Sequence, residues 1–378
     1  MIKYAYYIKN IRRGVSVSLL FFLLMPAFAQ NAIPEGFSSL FNGKDFTGWD
    51  IQPDKGAWKV ENGTIHCYGK PNDPYFIISE KKYENFELYL DFRMSPKCNS
   101  GVTIHLIERD HGRESRMGME IQVSDDAGNA PDVHSCAAIY DVAPPLLSAV
   151  KPAKHWNTYH IIMDWPMLVI ELNGQIVQNE NMDKNPRLKY RLRNGHIGLQ
   201  NHGREVEYRN IYIKELPSKE PQWKELFNGK DLKNWETKGE AEWKVENGEI
   251  TAAGGSGYLI SGEIFNPNYE LQVFAAKDEN SGGGNSGVFY NWENETDRGY
   301  KTEFYDKTSA VKLKYMDDRF LPTQIINLAG ESVVILNGIE VQRNAYRTSP
   351  AAGRIAVYHS AKDGKIKIKK IRIKQIED

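Results

Sequence analysis

From Phe86 to Arg93 the chain alternates strictly, with Phe86, Leu88, Leu90 and Phe92 on one parity and Glu87, Tyr89, Asp91 and Arg93 on the other. A period of two predicts a β-strand with one face buried. Tyr269, Leu271 and Val273 repeat the alternation much later in the chain. Ile161–Leu172 is apolar, breaks at Pro166, and resumes as Val169–Leu172 before Asn173-Gly174. An Asn-Gly pair between apolar strands predicts a two-residue hairpin, and Asn337-Gly338 predicts another. Closing strands are expected at Ile211-Tyr212-Ile213 and at Ile366, Ile368, Ile371 and Ile373. The lysines between those last isoleucines mark a solvated face rather than a basic site. No stretch of ten residues carries a capped helical period. Many short strands with Gly, Asn and Pro turns predict an all-β chain of the sandwich or jelly-roll kind.

The pattern occurs twice. LFNGKD stands at Leu40–Asp45 and Leu226–Asp231, WKVENG at Trp58–Gly63 and Trp243–Gly248, and NSGV at Asn99–Val102 and Asn285–Val288. Leu40 and Leu226 lie 186 residues apart, as do Asn99 and Asn285, but the LNG of Leu172 and that of Leu336 lie only 164 apart. A repeat this long means two copies of a whole domain. The expected layout is a first domain over 34–216 and a second over 222–378, joined by the polar, proline-pinned linker Pro217–Pro221. The second copy has lost about twenty residues opposite the densest polar and aromatic run of the first. Chemistry is therefore expected in copy 1 only, with copy 2 degenerate.

Residues 1–29 read as a cleaved export signal: Lys3, Lys9, Arg12 and Arg13, then apolar Val15–Met25, then Ala27-Phe28-Ala29 before Gln30. A periplasmic or extracellular location follows as the expectation. The apolar run is too short to span a bilayer comfortably, so membrane insertion is not expected. The whole chain has 48 basic and 49 acidic residues. Removing the four leader cations leaves a net charge near −5, which argues against nucleic acid as a partner. Cys67, Cys98 and Cys136 have no metal-like spacing; buried, inert thiols are expected, with one disulfide plus a free thiol the alternative.

One ordered set of motifs resembles a known family. It comprises FSSLFNGKDFTGW (Phe37–Trp49), WKVENG, NFELYLDFR (Asn85–Arg93), NSGV, GMEIQVSDD (Gly118–Asp126), CAAIYDVAPP (Cys136–Pro145), KPAKHWNTY (Lys151–Tyr159), LNG, and GHIGLQNHG…YRNIYIKEL (Gly195–Leu216). Copy 1 resembles the 3-keto-disaccharide hydrolases of secreted bacterial proteins across nearly all its length. Copy 2 does so up to NSGV and at LNG. The resemblance implies two tandem concanavalin A-like lectin/glucanase jelly-roll sandwiches, and cleavage of a glycoside whose sugar carries a ketone at carbon 3. The family more often has Asp where this chain has Asn201, and often Arg after the NSG strand, where this chain has His105.

Met119–Val123 alternates, which puts Glu120, Gln122 and Ser124 on one strand face. Ordinary glycoside hydrolysis needs two carboxyl groups across the scissile bond, and Gln122 cannot be one of them. A 3-keto sugar needs less. Its ketone acidifies the carbon-2 hydrogen, so one base can remove it, the group on carbon 1 leaves, and water adds afterwards. Such a site needs a base, a partner for the enolate oxygen and a proton donor. The residues expected to do chemistry are Glu120, His202, Lys151 and Tyr140; those expected to bind sugar are Gln122, Asn99, His105, His134, Trp156 and Arg209. A divalent metal on Glu120 and His202 could replace the cationic side chain. Each has a structural alternative: Arg209 could brace the last strand, Trp156 could anchor the sandwich, and Trp58, repeated as Trp243, reads as core. Glu303 aligns as the counterpart of Glu120, Tyr305 of Gln122 and Ser360 of His202. The rival function is a non-catalytic, lectin-like carbohydrate binder, which a shallow aromatic platform would favour.

Overall fold

In the computed structural model the described residues are 33–51, 57–69, 76–106, 118–219, 222–277, 285–293, 298–304, 321–328, 330–336, 339–346 and 351–376. The signal-like residues 1–29, the turn Asn337-Gly338 and Tyr305 lie outside them. In copy 1 the strands are β1 (Ser38–Ser39), β2 (Trp49–Asp50), β3 (Trp58–Glu61), β4 (Thr64–Cys67), β5 (Phe76–Ser79), β6 (Phe86–Met94) and β7 (Asn99–Leu106). They continue as β8 (Met119–Ser124), β9 (Asn157–Asp164), β10 (Met167–Leu172), β11 (Gln175–Asn181), β12 (His196–Gln200) and β13 (Val206–Glu215). Among the described residues there is no α-helix, only a 3-10 turn at Met182–Lys184, and no helix long and apolar enough to cross a membrane.

These strands form two antiparallel sheets. The larger runs β11-β10-β9-β6-β13-β4-β3, with β1 added beside β13; the smaller runs β2-β5-β12-β7-β8. β6 alternates buried and half-buried along its whole length, as its sequence period requires. Its Phe86, Leu88, Leu90 and Phe92 meet Val102, Ile104, Ile121, Val123, Ile197 and Leu199 of the smaller sheet in one core. Trp58 belongs to that core. Asn173 and Gly174 both take positive φ between β10 and β11, the hairpin expected there.

Copy 2 keeps the strand order but joins the layers. Its strands are β14 (Lys224–Glu225), β15 (Trp235–Gly239), β16 (Glu242–Glu246), β17 (Glu249–Ser261), β18 (Tyr269–Lys277) and β19 (Asn285–Glu293). Then come β20 (Arg298–Glu303), β21 (Leu321–Asn327), β22 (Glu331–Leu336), β23 (Ile339–Ala345) and β24 (Arg354–Gln375). β24 runs unbroken where copy 1 has β12, a loop and β13, and β17 does the work of β4 and β5. Both long strands therefore pass from one layer to the other, and their inward residues close one core with Leu271, Val288, Tyr290 and Val334.

The ladder corrects one expectation about the repeat. Glu303 pairs with Gly287, the equivalent of Gly101, and Gly101 pairs with Gln122. Lys301 pairs with Phe289, where copy 1 pairs Thr103 with Glu120. Glu303 thus stands at the Gln122 position and Lys301 at the Glu120 position, because copy 2 has a shorter connection before β20. Ser360 does pair with Asn285, in line with its alignment to His202.

The copies pack together within one compact unit over Pro34–Asp378. Phe274 lies against Phe76, Ile78, Leu106 and Leu192, while Tyr190 lies against Ile326, Val333 and Ile335.

Candidate active site

The smaller sheet of copy 1 turns Met119, Ile121 and Val123 into the core, which sends Glu120 and Gln122 to its other face. Both are buried there, Glu120 with 4% of its surface exposed and Gln122 with 2%. Glu120 lies across Gly101, since a Cβ on residue 101 would stand 2.7 Å from Oε1. The Gln122 amide sits 3.2 Å from Asn99. With its nitrogen turned to Glu120 it donates to Oε1 at 3.1 Å and to the Ser100 carbonyl at 2.9 Å. Asn99, Glu120 and Gln122 therefore form one contiguous polar floor.

A loop the sequence pattern did not predict closes the edge of this floor. Along the β8 edge Ala137 N donates to Gln122 O at 2.8 Å, Gln122 N donates to Ala138 O at 3.0 Å, and Tyr140 N donates to Glu120 O at 3.0 Å. Gln178 fixes the loop by donating to the carbonyls of Ala137 and Ala143, both at 3.1 Å. This holds Tyr140 beside Glu120. Burial, then the charges of Asp141 and Glu120, raise the Tyr140 phenol, so it keeps its proton at neutral pH. His134 stacks obliquely on Tyr140 at 5.0 Å, and its Nε2 meets Asp141 Oδ1 at 2.8 Å. Arg191 donates to the Gly118 carbonyl at 3.2 Å, which ties the start of β8 to the segment packed on copy 2.

Glu120, Gln122, Asn99, Tyr140 and His134 are thus brought together. His202 lies just beyond β12 and is exposed. Continuing the β12–β7 register places it at the level of Asn99, at the rim. Four expected residues sit elsewhere. His105 is buried in the sandwich interior, edge-on to Phe86 at 5.9 Å, with Nε2 2.7 Å from the Glu84 carbonyl. Its positive φ of 55° accompanies a register shift between β7 and β12 that turns the side chain inward. Trp156 is held between Arg93 and Arg209, at 4.6 and 3.9 Å, on the outer face of the larger sheet. Arg209 and Asn210 both reach Asp91 there, so Arg209 braces the strand. Lys151 donates to the Trp156 carbonyl at 3.1 Å, which holds it with its own loop. Period-two reasoning placed residues within strands correctly, but it could not say which sheet face a loop residue would join.

The three cysteines are buried and form no disulfide. A divalent ion needs several oxygen or nitrogen ligands at once. Among the described residues no group of three or more His, Cys, Asp or Glu comes together.

A family model for the 3-keto-alpha-glucoside-1,2-lyase-like domain matches residues 36–214 and again 222–374. The chain belongs to that family. It is accordingly an enzyme of glycosidic-bond cleavage. A curated relative from Bacteroides thetaiotaomicron, a 3-keto-disaccharide hydrolase, is 27% identical over 234 residues, covering 48% of this chain and 79% of its own. A crystal structure from Parabacteroides distasonis, described as a candidate glycosyl hydrolase, is 27% identical and covers 48% of this chain and 95% of its own, with a TM-score of 0.43. A second from the same organism is 26% identical and covers 48% and 99%, also at 0.43.

Proposed function

We propose that copy 1 cleaves 3-keto-glycosides by elimination followed by hydration. The observation that carries this reading is that, among the described residues, the floor presents one carboxylate. Glu120 shares its strand face with the amides Gln122 and Asn99, where an unactivated glycoside would require a second carboxyl. The Glu120 carboxylate takes the proton from carbon 2, and the electrons pass to the carbon-3 oxygen as an enolate. Collapse of the enolate forms the carbon 1–carbon 2 double bond and breaks the bond from carbon 1 to the leaving oxygen. Tyr140, kept protonated, gives that oxygen its proton. Gln122 and Asn99 hold the sugar hydroxyls and the enolate, and water then adds across the double bond. The family description, which names a 1,2-lyase, supports this order of events. Export before reaction is part of the proposal and rests on the signal-like residues 1–29.

The test is to give the enzyme a 3-keto-disaccharide and its unoxidised parent in deuterated water. Cleavage of the ketone alone, with deuterium appearing at carbon 2, is expected. Equal turnover of both sugars, or full retention of the original carbon-2 proton, would overturn the proposal.

A further inference from the structure

The face of copy 2 equivalent to the Glu120 floor carries a different set of side chains. Phe289 replaces Thr103, Trp292 replaces Leu106, and Lys301 and Glu303 take the places of Glu120 and Gln122. On the neighbouring strands Tyr358 pairs with Tyr258, where copy 1 pairs Gln200 with Phe76. Thr103, Leu106 and Gln200 thus give way to rings, beside a position that is aromatic in both copies.

The rings form one patch. Tyr258 lies 5.1 Å from Trp292 and 6.0 Å from Phe289; Phe289 lies 4.8 Å from Trp292 and 5.2 Å from Tyr358. Trp292 is buried beneath, and Tyr258 and Phe289 are half-buried. Tyr358 lies over Gly287, where a Cβ would come 2.8 Å from its Cε1, just as Glu120 lies over Gly101. The Tyr358 residue is only 7% exposed, and its hydroxyl has no hydrogen-bond partner among the described residues. A buried hydroxyl left this way is costly unless something else satisfies it. Lys301 Nζ stands 6.0 Å from the Tyr358 ring, and Glu303 is near enough for its charge to act on the phenol.

Two part-exposed rings over a buried indole suit the C–H face of a pyranose. The rim of one ammonium and one carboxylate suits its hydroxyl groups. Because the rim charges are of opposite sign, an ionic ligand gains nothing there. We infer that this face of copy 2 is a non-catalytic binding site for neutral glucosides, which holds a glycan to the enzyme while copy 1 acts. The inference stands on residues of copy 2 and does not depend on the elimination reading.

The experiment titrates the full chain with maltohexaose, cellohexaose and laminarihexaose, all unoxidised, by calorimetry. At least one should bind in the range up to about 1 mM. Tyr258→Ala and Phe289→Ala should each weaken that binding about tenfold, the scale of one lost aromatic contact with its buried area. Glu120→Gln should leave it unchanged while abolishing turnover of a 3-keto-disaccharide. Absence of binding by all three sugars, binding indifferent to Tyr258→Ala and Phe289→Ala, or binding lost in Glu120→Gln would each overturn the inference.

Discussion

Glu120 rests on Gly101: a Cβ at residue 101 would meet Oε1 and Cγ of Glu120 at 2.7 Å and Cδ at 2.9 Å. The two residues are not direct ladder partners. Gly101 pairs with Gln122, and Glu120 pairs with Thr103, so the carboxylate leans diagonally across the strand to use the space a missing side chain leaves. The glycine thereby sets the height and direction of the proposed base.

Gly101→Ala should therefore leave the sandwich folded but displace the carboxylate. Backbone contacts in β7 do not change, and the crowding falls on the far part of the Glu120 side chain. Turnover of a 3-keto-disaccharide should fall at least about tenfold, within the loss seen when a catalytic group is misplaced by about 1 Å, with melting temperature little altered. An alanine variant with wild-type rate would show that Glu120 need not lie where it does.

Much of this was legible in the sequence. β6 and β8 announced themselves by alternation, and the face of β8 that carries Glu120 and Gln122 followed from parity alone. The repeated phrases turned out to encode turns. In LFNGKD, Asn42 Oδ1 accepts from the backbone of Lys44 and Asp45 at 2.7 and 3.0 Å, and Asn228 does the same in copy 2 at 2.8 and 3.0 Å. What parity could not supply was the course of loops. The pairing of residues 137–140 against β8, which brings Tyr140 to Glu120, depends on bonds made in three dimensions. So does the left-handed His105, which leaves the site for the core. NSG did carry a usable signal, because a glycine inside an otherwise good strand marks close approach.

Trp156 and Arg209, placed by the fold on the opposite side of the sandwich from Glu120, provide a direct check of that division. Trp156→Ala removes the ring between two guanidinium groups and should cost about 1 kcal/mol of stability, the scale of an exposed cation–π contact. Turnover should change less than about twofold. Chemical denaturation read beside kinetics separates the two effects. A large loss of rate without loss of stability would return Trp156 to the substrate site.

His160 gives the larger sheet a pH dependence of its own. It lies stacked on Tyr89 at 3.9 Å, with Nε2 3.2 Å from Glu87 and Nδ1 3.3 Å from Glu171. Burial disfavours its charge, but the bonds to Glu171 and Glu87 outweigh burial and raise it above the ordinary 6.5. Glu87, bonded to His160 and Lys214, is lowered from 4.5 to about 2 despite its own burial. The His160 contribution is whole below its unfolded value near 6.5 and is lost as pH rises through the raised value. The Glu87 contribution is whole above 4.5 and is lost as pH falls toward about 2. Both are complete between 4.5 and 6.5. Melting temperature followed from pH 5 to pH 9 should fall more steeply in the native protein than in His160→Gln; parallel curves would show that His160 carries none of the dependence.

The thiols offer a last test, on whether the folded chain keeps all three cysteines reduced. Cys67, Cys98 and Cys136 are buried in the same core, and burial pushes both Cys98 and Cys136 up to about 12. Cys136 also contacts the Tyr159 hydroxyl at 3.3 Å, but that bond does not offset complete enclosure. A thiol that neither ionises near neutral pH nor meets solvent reacts slowly with disulfides and alkylating agents. The folded protein should therefore give no rapid reaction with an aromatic disulfide reagent, and the same sample in denaturant should give three thiols per chain. One thiol in denaturant would mean that two of the cysteines had paired, which the packing of the core would then have to accommodate. Fast labelling of the native protein would show instead that the sandwich opens far more readily than its buried interior implies.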